Sequence, residues 1–463
     1  MATHTIGLMK EKGNTALQDR KLQDKARFVS KLHPGDIADH LEDMDAEEAR
    51  KVFNLLDAEI ASTVLLELED QAKQELIERL SDNRLAEVVE EMESDDAADI
   101  IAALPSEVAQ DVLEKISPED KEEVEELLRY GEETAGGLMQ AEYLAVETHL
   151  TAAGAIEKLR QNADSVQHVH NVFAVTSNGH YAGTIHLYEL VTAEPNAPIE
   201  SLVDTGLPAV NVNLDQEEVA RLFKRYDLIS LPVIEGDGRL VGRITVDDIV
   251  DVIEDEASED IYRMVGLDED EKVFDPAFAS FRKRVPWLLL KLVAVSFAAA
   301  LVYVHKGTIQ QLPIVAAFLP IVGGIGGDAG TQTFTMIIRN LALGTVNLGD
   351  TRRMLLKQLF VGMQLGLLVA IVAGGAVYAV ERVWGGDPRL SIVLGAALML
   401  NFLIAALAGT LVPLMLVKLK VDPAVASGLF VTFLTDLLGF VFVLGFASAV
   451  MSKLVAASSV AAG

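Results

Sequence analysis

Asp436 is the only charged residue between Asp422 and Lys453 in the run KVDPAVASGLFVTFLTDLLGFVFVLGFASAV, with Thr432 one helical turn before it and Thr435 beside it. An ionised carboxylate facing hydrocarbon costs several kcal/mol, so such a group needs a partner, water or a cation. Carboxylate and hydroxyl oxygens are hard ligands, suited to Mg²⁺ or a similar divalent ion. A neutral, hydrogen-bonded structural Asp is the alternative. A second apolar run, PIVGGIGGDAGTQTFTMIIRNLALG, places Asp328 among glycines 323, 324, 326, 327 and 330. A bilayer tolerates broken helix only where the freed backbone meets protein or water, so these glycines predict a wet lining or very close helix packing. Asp328 favours an ion path. Asp422, followed by Pro423, reads as an ordinary helix N-cap, alone or as a cap that also attracts ions.

A second concentration of carboxylates lies outside the apolar runs. Residues 1 to 280 hold 63 of the 69 acids but 24 of the 38 bases, a net −39, while residues 281 to 463 carry +8. So negative a surface gathers cations and repels nucleic acid and anionic lipid. Its acidic runs include Asp247, Asp248, Asp251, Glu254, Asp255, Glu256, Glu259 and Asp260, with Glu59, Asp95, Asp96 and Asp99 expected to face them. Crowded carboxylates repel one another and favour separated domains, and a bound Mg²⁺ cancels that repulsion. For each acid taken singly, a solvated surface charge is the competing explanation. No cysteine is present, which removes disulfides and thiolate metal sites and leaves oxygen ligands.

The elements that must position these groups follow from periodicity. From Leu32 to Tyr130 the chain reads as short amphipathic helices between acidic turns, repeating with a shift of 48 residues that aligns Leu41 with Val89, Met44 with Met92, Ala49 with Ala97, Leu56 with Leu104, Val64 with Val112 and Leu65 with Leu113. A helical solenoid is expected, each unit covering its neighbour's apolar face. Near Gly136 the period changes, and VFAVTSNGHYAGTIHLYELV and ISLPVIEGDGRLVGRITVDDIVDVI each give two β-rich runs joined by a Gly-containing turn and followed by a helix. Residues 276 to 284 (PAFASFRKR) predict a basic-ended amphipathic helix. Apolar stretches follow at about 285–304, 311–338, 355–380, 390–417 and 424–451, each long enough to cross the hydrocarbon core. Arg282, Lys283, Arg284, Arg339, Arg352, Arg353, Lys357, Lys418 and Lys420 flank one side, against Lys306, Arg382, Arg389 and Lys453 on the other. Bases accumulate on the cytoplasmic side, which predicts a cytoplasmic N-terminal part and an outer C-terminus in the cell membrane. The first thirty residues lack a continuous apolar core, so no cleavable signal peptide is expected.

The paired β-rich segments resemble tandem cystathionine-β-synthase (CBS) domains, which bind adenine nucleotides or ions. In the second copy Gly242, Thr245 and Asp248 match the G-x-x-T-x-x-D nucleotide element, whereas the first copy has His186 at the Thr position. The resemblance therefore implies ATP or a related nucleotide at one copy, with a purely structural pair as the alternative.

Taken in order, HPGDIADHLEDMD, RYGEETAGGLM, the CBS pair, PIVGGIGGDAGTQ, and KVDPAVASG with TDLLG resemble the MgtE family of magnesium transporters from about residue 30 onward. The resemblance implies a multidomain protein: an N-terminal extension over 1–30, an acidic all-α solenoid over 31–132, an α/β CBS pair over 133–265, a linker and plug helix over 266–284, and a five-helix membrane domain over 285–463. It implies a homodimer with one central pore in which Asp436 of each subunit holds hydrated Mg²⁺. Asp422 would lie near the cytoplasmic mouth, and the basic-ended helix would close the pore when cytosolic Mg²⁺ is high. Two positions depart from the family pattern: Asp328 stands where Asn is usual, and Gly428-Leu429 where Gly-Pro is usual.

No Walker-type phosphate loop is present, and a divalent ion moving inward gains about 4.6 kcal/mol per 100 mV from the membrane potential. Passive Mg²⁺ conduction is thus the expectation, with exchange coupled to H⁺ or Na⁺ as the competing class because of Asp328. An enzyme is not expected, since no nucleophile–base pair or His-containing metal cluster stands out.

Overall fold

A computed structural model describes residues 31–162, 169–269, 271–384, 387–422 and 427–461. The extension over 1–30 and the Asp-Pro helix start at Pro423 lie outside the described residues. The chain divides into two compact units, one ending at Ile253 and one beginning at Glu254.

The first unit opens with eight short helices among the described residues: α1 Pro34–Glu42, α2 Ala46–Phe53, α3 Ala58–Glu67, α4 Asp70–Ile77, α5 Asp82–Val89, α6 Ser94–Ala103, α7 Ser106–Leu113 and α8 Pro118–Leu127. Their first residues are 34, 46, 58, 70, 82, 94, 106 and 118, a constant step of 12, so the 48-residue repeat is four such steps. Local chemistry sets each start. Asp45 accepts hydrogen bonds from the backbone N–H of Glu47 (3.1 Å) and Glu48 (3.0 Å), Ser81 caps Arg84 N–H and Ser117 caps Asp120 N–H, while Pro34 and Pro118 occupy the first turn. Helices of 8 to 10 residues are marginal alone. Stacking supplies the rest: α1 packs on α3, α3 on α5 and α5 on α7, with α2 on α4 and α6 on α8. Repeat-equivalent pairs such as Leu41 and Val89, Ala49 and Ala97, and Val64 and Val112 are all buried between the layers.

Two three-stranded sheets follow. Strand β1 (Ala145–Glu147) pairs parallel with β2 (Asn171–Val175), and β2 antiparallel with β3 (Tyr181–His186). Strand β4 (Val210–Asn211) pairs parallel with β5 (Ser230–Ile234), and β5 antiparallel with β6 (Leu240–Thr245). The second sheet repeats the first 59 residues on, since 171 + 59 = 230 and 181 + 59 = 240, down to a register shift at Ala174/Val175 and again at Val233/Ile234. Equivalent residues meet across this pseudo-twofold relation, as Asn171 Nδ2 donates to Ser230 Oγ (3.0 Å) and His180 bridges Arg239.

In the second unit, five helices among the described residues are long and apolar enough to span a membrane: Ala277–Val304, Pro313–Ala342, Leu348–Trp384, Leu390–Lys418 and Gly428–Ser452. The basic-ended segment is not a separate element but the first turns of the helix Ala277–Val304. Lys283 pairs with Asp268 (3.1 Å) and Arg284 with Glu271 (2.7 Å), so the preceding linker neutralises two of its bases. The glycine-rich segment lies in an unbroken helix, Pro313–Ala342, because its glycines admit neighbouring helices rather than unwinding. A Cβ at Gly409 would stand 2.6 Å from Gly330 O, and one at Gly330 2.5 Å from Val431 Cγ1. Leu390–Lys418 is the most enclosed span and packs on three others, through buried Leu394, Leu398, Phe402 and Ala405.

Replacing Gly409 with Ala forces its Cβ against a carbonyl oxygen and should destabilise the bundle by about 1–3 kcal/mol. Gly375→Ala meets nothing within 4 Å and should be neutral or slightly stabilising. Thermal unfolding of the detergent-solubilised variants compares the two.

Candidate cation sites

The helix Ser427–Ala461 carries Asp436 without a break, since Leu429 continues it. Asp436 Oδ1 is buried and has no hydrogen-bond partner among the described residues. It lies beside Gly323 of the second span, where a Cβ would come within 3.1 Å of that oxygen, so glycine keeps space open at the carboxylate. Thr432 donates its hydroxyl proton to Gly428 O (2.9 Å), and Thr435, fully buried, donates to Val431 O (3.0 Å) and Thr432 O (2.9 Å). Both hydroxyls are thus tied to their own helix. Asp328 is placed differently: it is exposed on the second span, in a polar strip with exposed Thr331, Gln332 and Thr335. Asp422 pairs with Arg263 Nη1 (2.9 Å), whose guanidinium also binds Glu269 (2.6 Å) and Glu259.

Two polar groups inside the spans go unnoticed in the sequence pattern. Lys291, exposed on the first span, is the charged side chain whose field reaches Asp436. Asn401, fully buried in the fourth span, donates to Val322 O (2.9 Å). Each is an isolated polar residue in an apolar run, and that isolation was the available signal.

In the first unit, the N-terminus of α6 collects acids. Glu93, Asp95 and Asp96 bring ligand oxygens within 4.8 Å of one another, and Asp248 acts electrostatically on Asp95 and Asp96. The connection into β1 anchors this end: Gln140 Nε2 donates to Glu93 (2.6 Å), Arg243 Nε donates to Gln140 Oε1 (3.2 Å), and Glu142 accepts from Ser94 N (3.0 Å) and Ser94 Oγ (2.6 Å). Burial, then the Asp248 and Asp96 charges, pushes the Asp95 carboxyl well above the usual range. Burial, Asp248 and Glu93 raise Asp96 to about 7. Asp99 is exposed by area, yet the protein around it and Glu132 raise it to about 6, with Lys73 opposing. Burial raises Asp248 to about 6 despite its hydrogen bonds from Thr245. Of the remaining acids, Glu59, Asp247, Asp251 and Asp255 are exposed and Glu256 is half-buried, and none joins the converging group among the described residues.

The nucleotide-element residues are in register. Asp248 Oδ2 accepts from Thr245 Oγ1 (2.7 Å) and Thr245 N (3.3 Å), at the start of the helix Val246–Val265. Gly242 lies under Met139 and Gln140, where a Cβ would be 2.8 Å from Gln140 O. At the equivalent place in the first copy, His186 Nδ1 bonds Asn171 Oδ1 (2.9 Å).

The sequence matches three family models: the divalent cation transporter domain MgtE over residues 319–446, the MgtE intracellular N domain over 32–133, and a CBS domain over 199–255. Two similar curated proteins are named Magnesium transporter MgtE. That of Thermus thermophilus is 36% identical over 318 residues, covering 68% of this chain and 70% of its own length. That of Bacillus subtilis is 31% identical over 335 residues, with 72% of each covered. The chain belongs to the MgtE family. The cytosolic domain of the Mg²⁺ channel MgtE, solved in complex with ATP, aligns with a TM-score of 0.49 at 33% identity, covering 52% of this chain and 98% of that one. The members named here are magnesium transporters, and five spanning helices make this one a membrane protein. Within the MgtE bundle the departure at Asp328 adds a carboxylate on an exposed face, and that at Leu429 lies within an unbroken last helix.

The raised carboxyls make the metal-free folded state hold more protons than the unfolded one, between the ordinary carboxylate range and pH about 7. Stability without Mg²⁺ should therefore fall as pH rises through that window, giving a lower melting temperature at about pH 8 than at about pH 5.5. Mg²⁺ should restore it mainly at the higher pH, because metal and protons compete for the same oxygens. Melting curves in EDTA and in Mg²⁺ across this range measure the effect, and a midpoint rising with pH in EDTA would contradict it.

Proposed function

We propose that this chain is a homodimeric, Mg²⁺-selective channel that conducts the ion passively inward and is gated shut by cytosolic Mg²⁺. The observation that carries this reading is Asp436, a carboxylate within a membrane span whose buried oxygen has no partner among the described residues. A hydrated cation supplies the donors and the charge that such a group lacks. Thr432 and Thr435 shape the same helix face, and Asp422, paired with Arg263, would lie near the cytoplasmic mouth. The polar strip of Asp328, Thr331, Gln332 and Thr335 supports the dimer: on a single copy it would face acyl chains at several kcal/mol, and a second copy turns it toward a shared wet axis. The flanking bases, nine against four, put the acidic unit in the cytoplasm.

Gating follows from the crowding of like-charged acids at the start of α6. Glu93, Asp95, Asp96 and Asp248 repel when empty, and Mg²⁺ binding removes the repulsion, so occupancy shifts a conformational equilibrium by the difference in affinity between states. Asp99, Glu59, Asp247, Asp251, Asp255, Glu256 and Glu259 are assigned as further sensor ligands. An adenine nucleotide at Gly242, Thr245 and Asp248 would share Asp248 with the Mg²⁺ sensor. A coupled exchanger using H⁺ or Na⁺ is favoured by one observation, the second carboxylate at Asp328; a flux that reverses at the Mg²⁺ electrochemical potential whatever the H⁺ or Na⁺ gradient excludes it.

Asp436→Ala should abolish divalent flux in proteoliposomes while the protein still purifies as a dimer, and normal flux in that variant would end the pore assignment. Neutralising Asp255, Glu256 and Glu259 together should leave transport intact but blunt its inhibition by internal Mg²⁺. Patch recordings with graded cytosolic Mg²⁺ read out that inhibition.

A further inference from the structure

Asn401 is 0% exposed in the middle of the fourth span, where a carboxamide gains nothing from solvent. One side of the amide is satisfied, because Nδ2 donates to Val322 O at 2.9 Å. The other side is not: Asn401 Oδ1 is buried and has no hydrogen-bond partner among the described residues, the same condition as Asp436 Oδ1. The two oxygens belong to one helix crossing. Gly326 and Gly439 together form the notch that admits Asn401, since a Cβ at Gly326 would collide with Asn401 Nδ2 and one at Gly439 would stand 2.8 Å from Oδ1. Gly323, three residues before Gly326, is the glycine beside Asp436, and Asp436 is three residues before Gly439. One helical turn therefore separates the amide from the carboxylate on both helices.

We propose that Asn401 is a positioning residue for the ion site at Asp436: its Oδ1 is a neutral second acceptor that receives hydrogen bonds from the water around the permeating divalent cation and so fixes where that cation sits. This rests on the assignment of Asp436 to the ion path. A buried acceptor left without a donor costs the folded state, whereas water molecules held by a divalent cation are strong donors that can serve a carbonyl and a carboxylate one helical turn apart. The bond to Val322 O fixes the rotamer, so the acceptor is preorganised and does not have to be ordered when the ion arrives. A neutral oxygen also adds no charge, which keeps binding weak enough for the ion to leave.

The test compares Asn401→Leu and Asn401→Asp in full-length protein reconstituted into proteoliposomes, reading Mg²⁺ flux against Mg²⁺ concentration. Both substitutions disturb the bond to Val322, so a purely structural role moves both in the same direction or neither. The positioning role moves them apart: Asn401→Leu should raise the half-saturating Mg²⁺ concentration by about three- to tenfold, the worth of one hydrogen bond, and Asn401→Asp should lower it. If Asn401→Leu does not reconstitute as monodisperse protein, Asn401→Ser, which also withdraws the oxygen from the notch, carries the same expectation. Shifts of equal sign, or none, overturn the proposal. Its failure is distinct from failure of the ion-path assignment, which the Asp436→Ala flux decides separately.

Discussion

Carboxylates crowded or buried in low-dielectric surroundings govern both units. At the N-terminus of α6 the fold brings Glu93, Asp95 and Asp96 together and adds the Asp248 charge, while Lys73 opposes the raised acids at Asp96 and Asp99. In the membrane bundle, Asp436 keeps an oxygen buried and unpartnered. Arrangements like these cost stability unless a proton or a metal ion arrives. Contrast Asp422, where Arg263 supplies the missing charge from within the same unit. The protein therefore stores electrostatic cost at selected acids and relieves it at others, which is what a cation-responsive machine requires.

The scaffold of the first unit serves that cost by being over-determined elsewhere. A constant twelve-residue step between helix starts gives the helices a regular stacking, with packing on the next but one, so the position of α6 is dictated by its neighbours and not by its acids. The loop from Met139 to Glu142 then ties α6 to β6 through Gln140, Arg243 and Ser94. Hydrogen bonding of this density holds like charges together where Coulomb repulsion would part them.

In the bundle the same role falls to small residues. Gly330 and Gly409 let two spans approach backbone to backbone, and Gly323, Gly326 and Gly439 leave room for Asp436 and Asn401. Lipid offers no hydrophobic drive between helices, so close packing, with interhelical bonds such as that from Asn401 to Val322 O, carries the association. An unbroken last span, with Leu429 continuing the helix, places Thr432, Thr435 and Asp436 on one face, at spacings of three and four residues.

Much of this was legible along the chain. The 48-residue repeat, the two β-α copies, the five spans and the isolated Asp436 all follow from periodicity and hydropathy, which are one-dimensional properties of neighbouring residues. Similarity in the membrane motifs named the family for the same reason. Other features depended on partners distant in sequence. Whether the glycines of the second span unwound the helix or admitted a neighbour turned on Asn401 and Val431, about 70 to 100 residues away. Which of many acids converge was set by Gln140 and Arg243 joining α6 to β6, so Glu93, absent from the acids singled out in the sequence, lies in the cluster while Glu59 does not. Likewise nothing around Asp422 announces Arg263, 159 residues earlier, as its counter-ion. Local pattern determines which groups are polar inside an apolar run; only packing in three dimensions decides which of them are left without a partner.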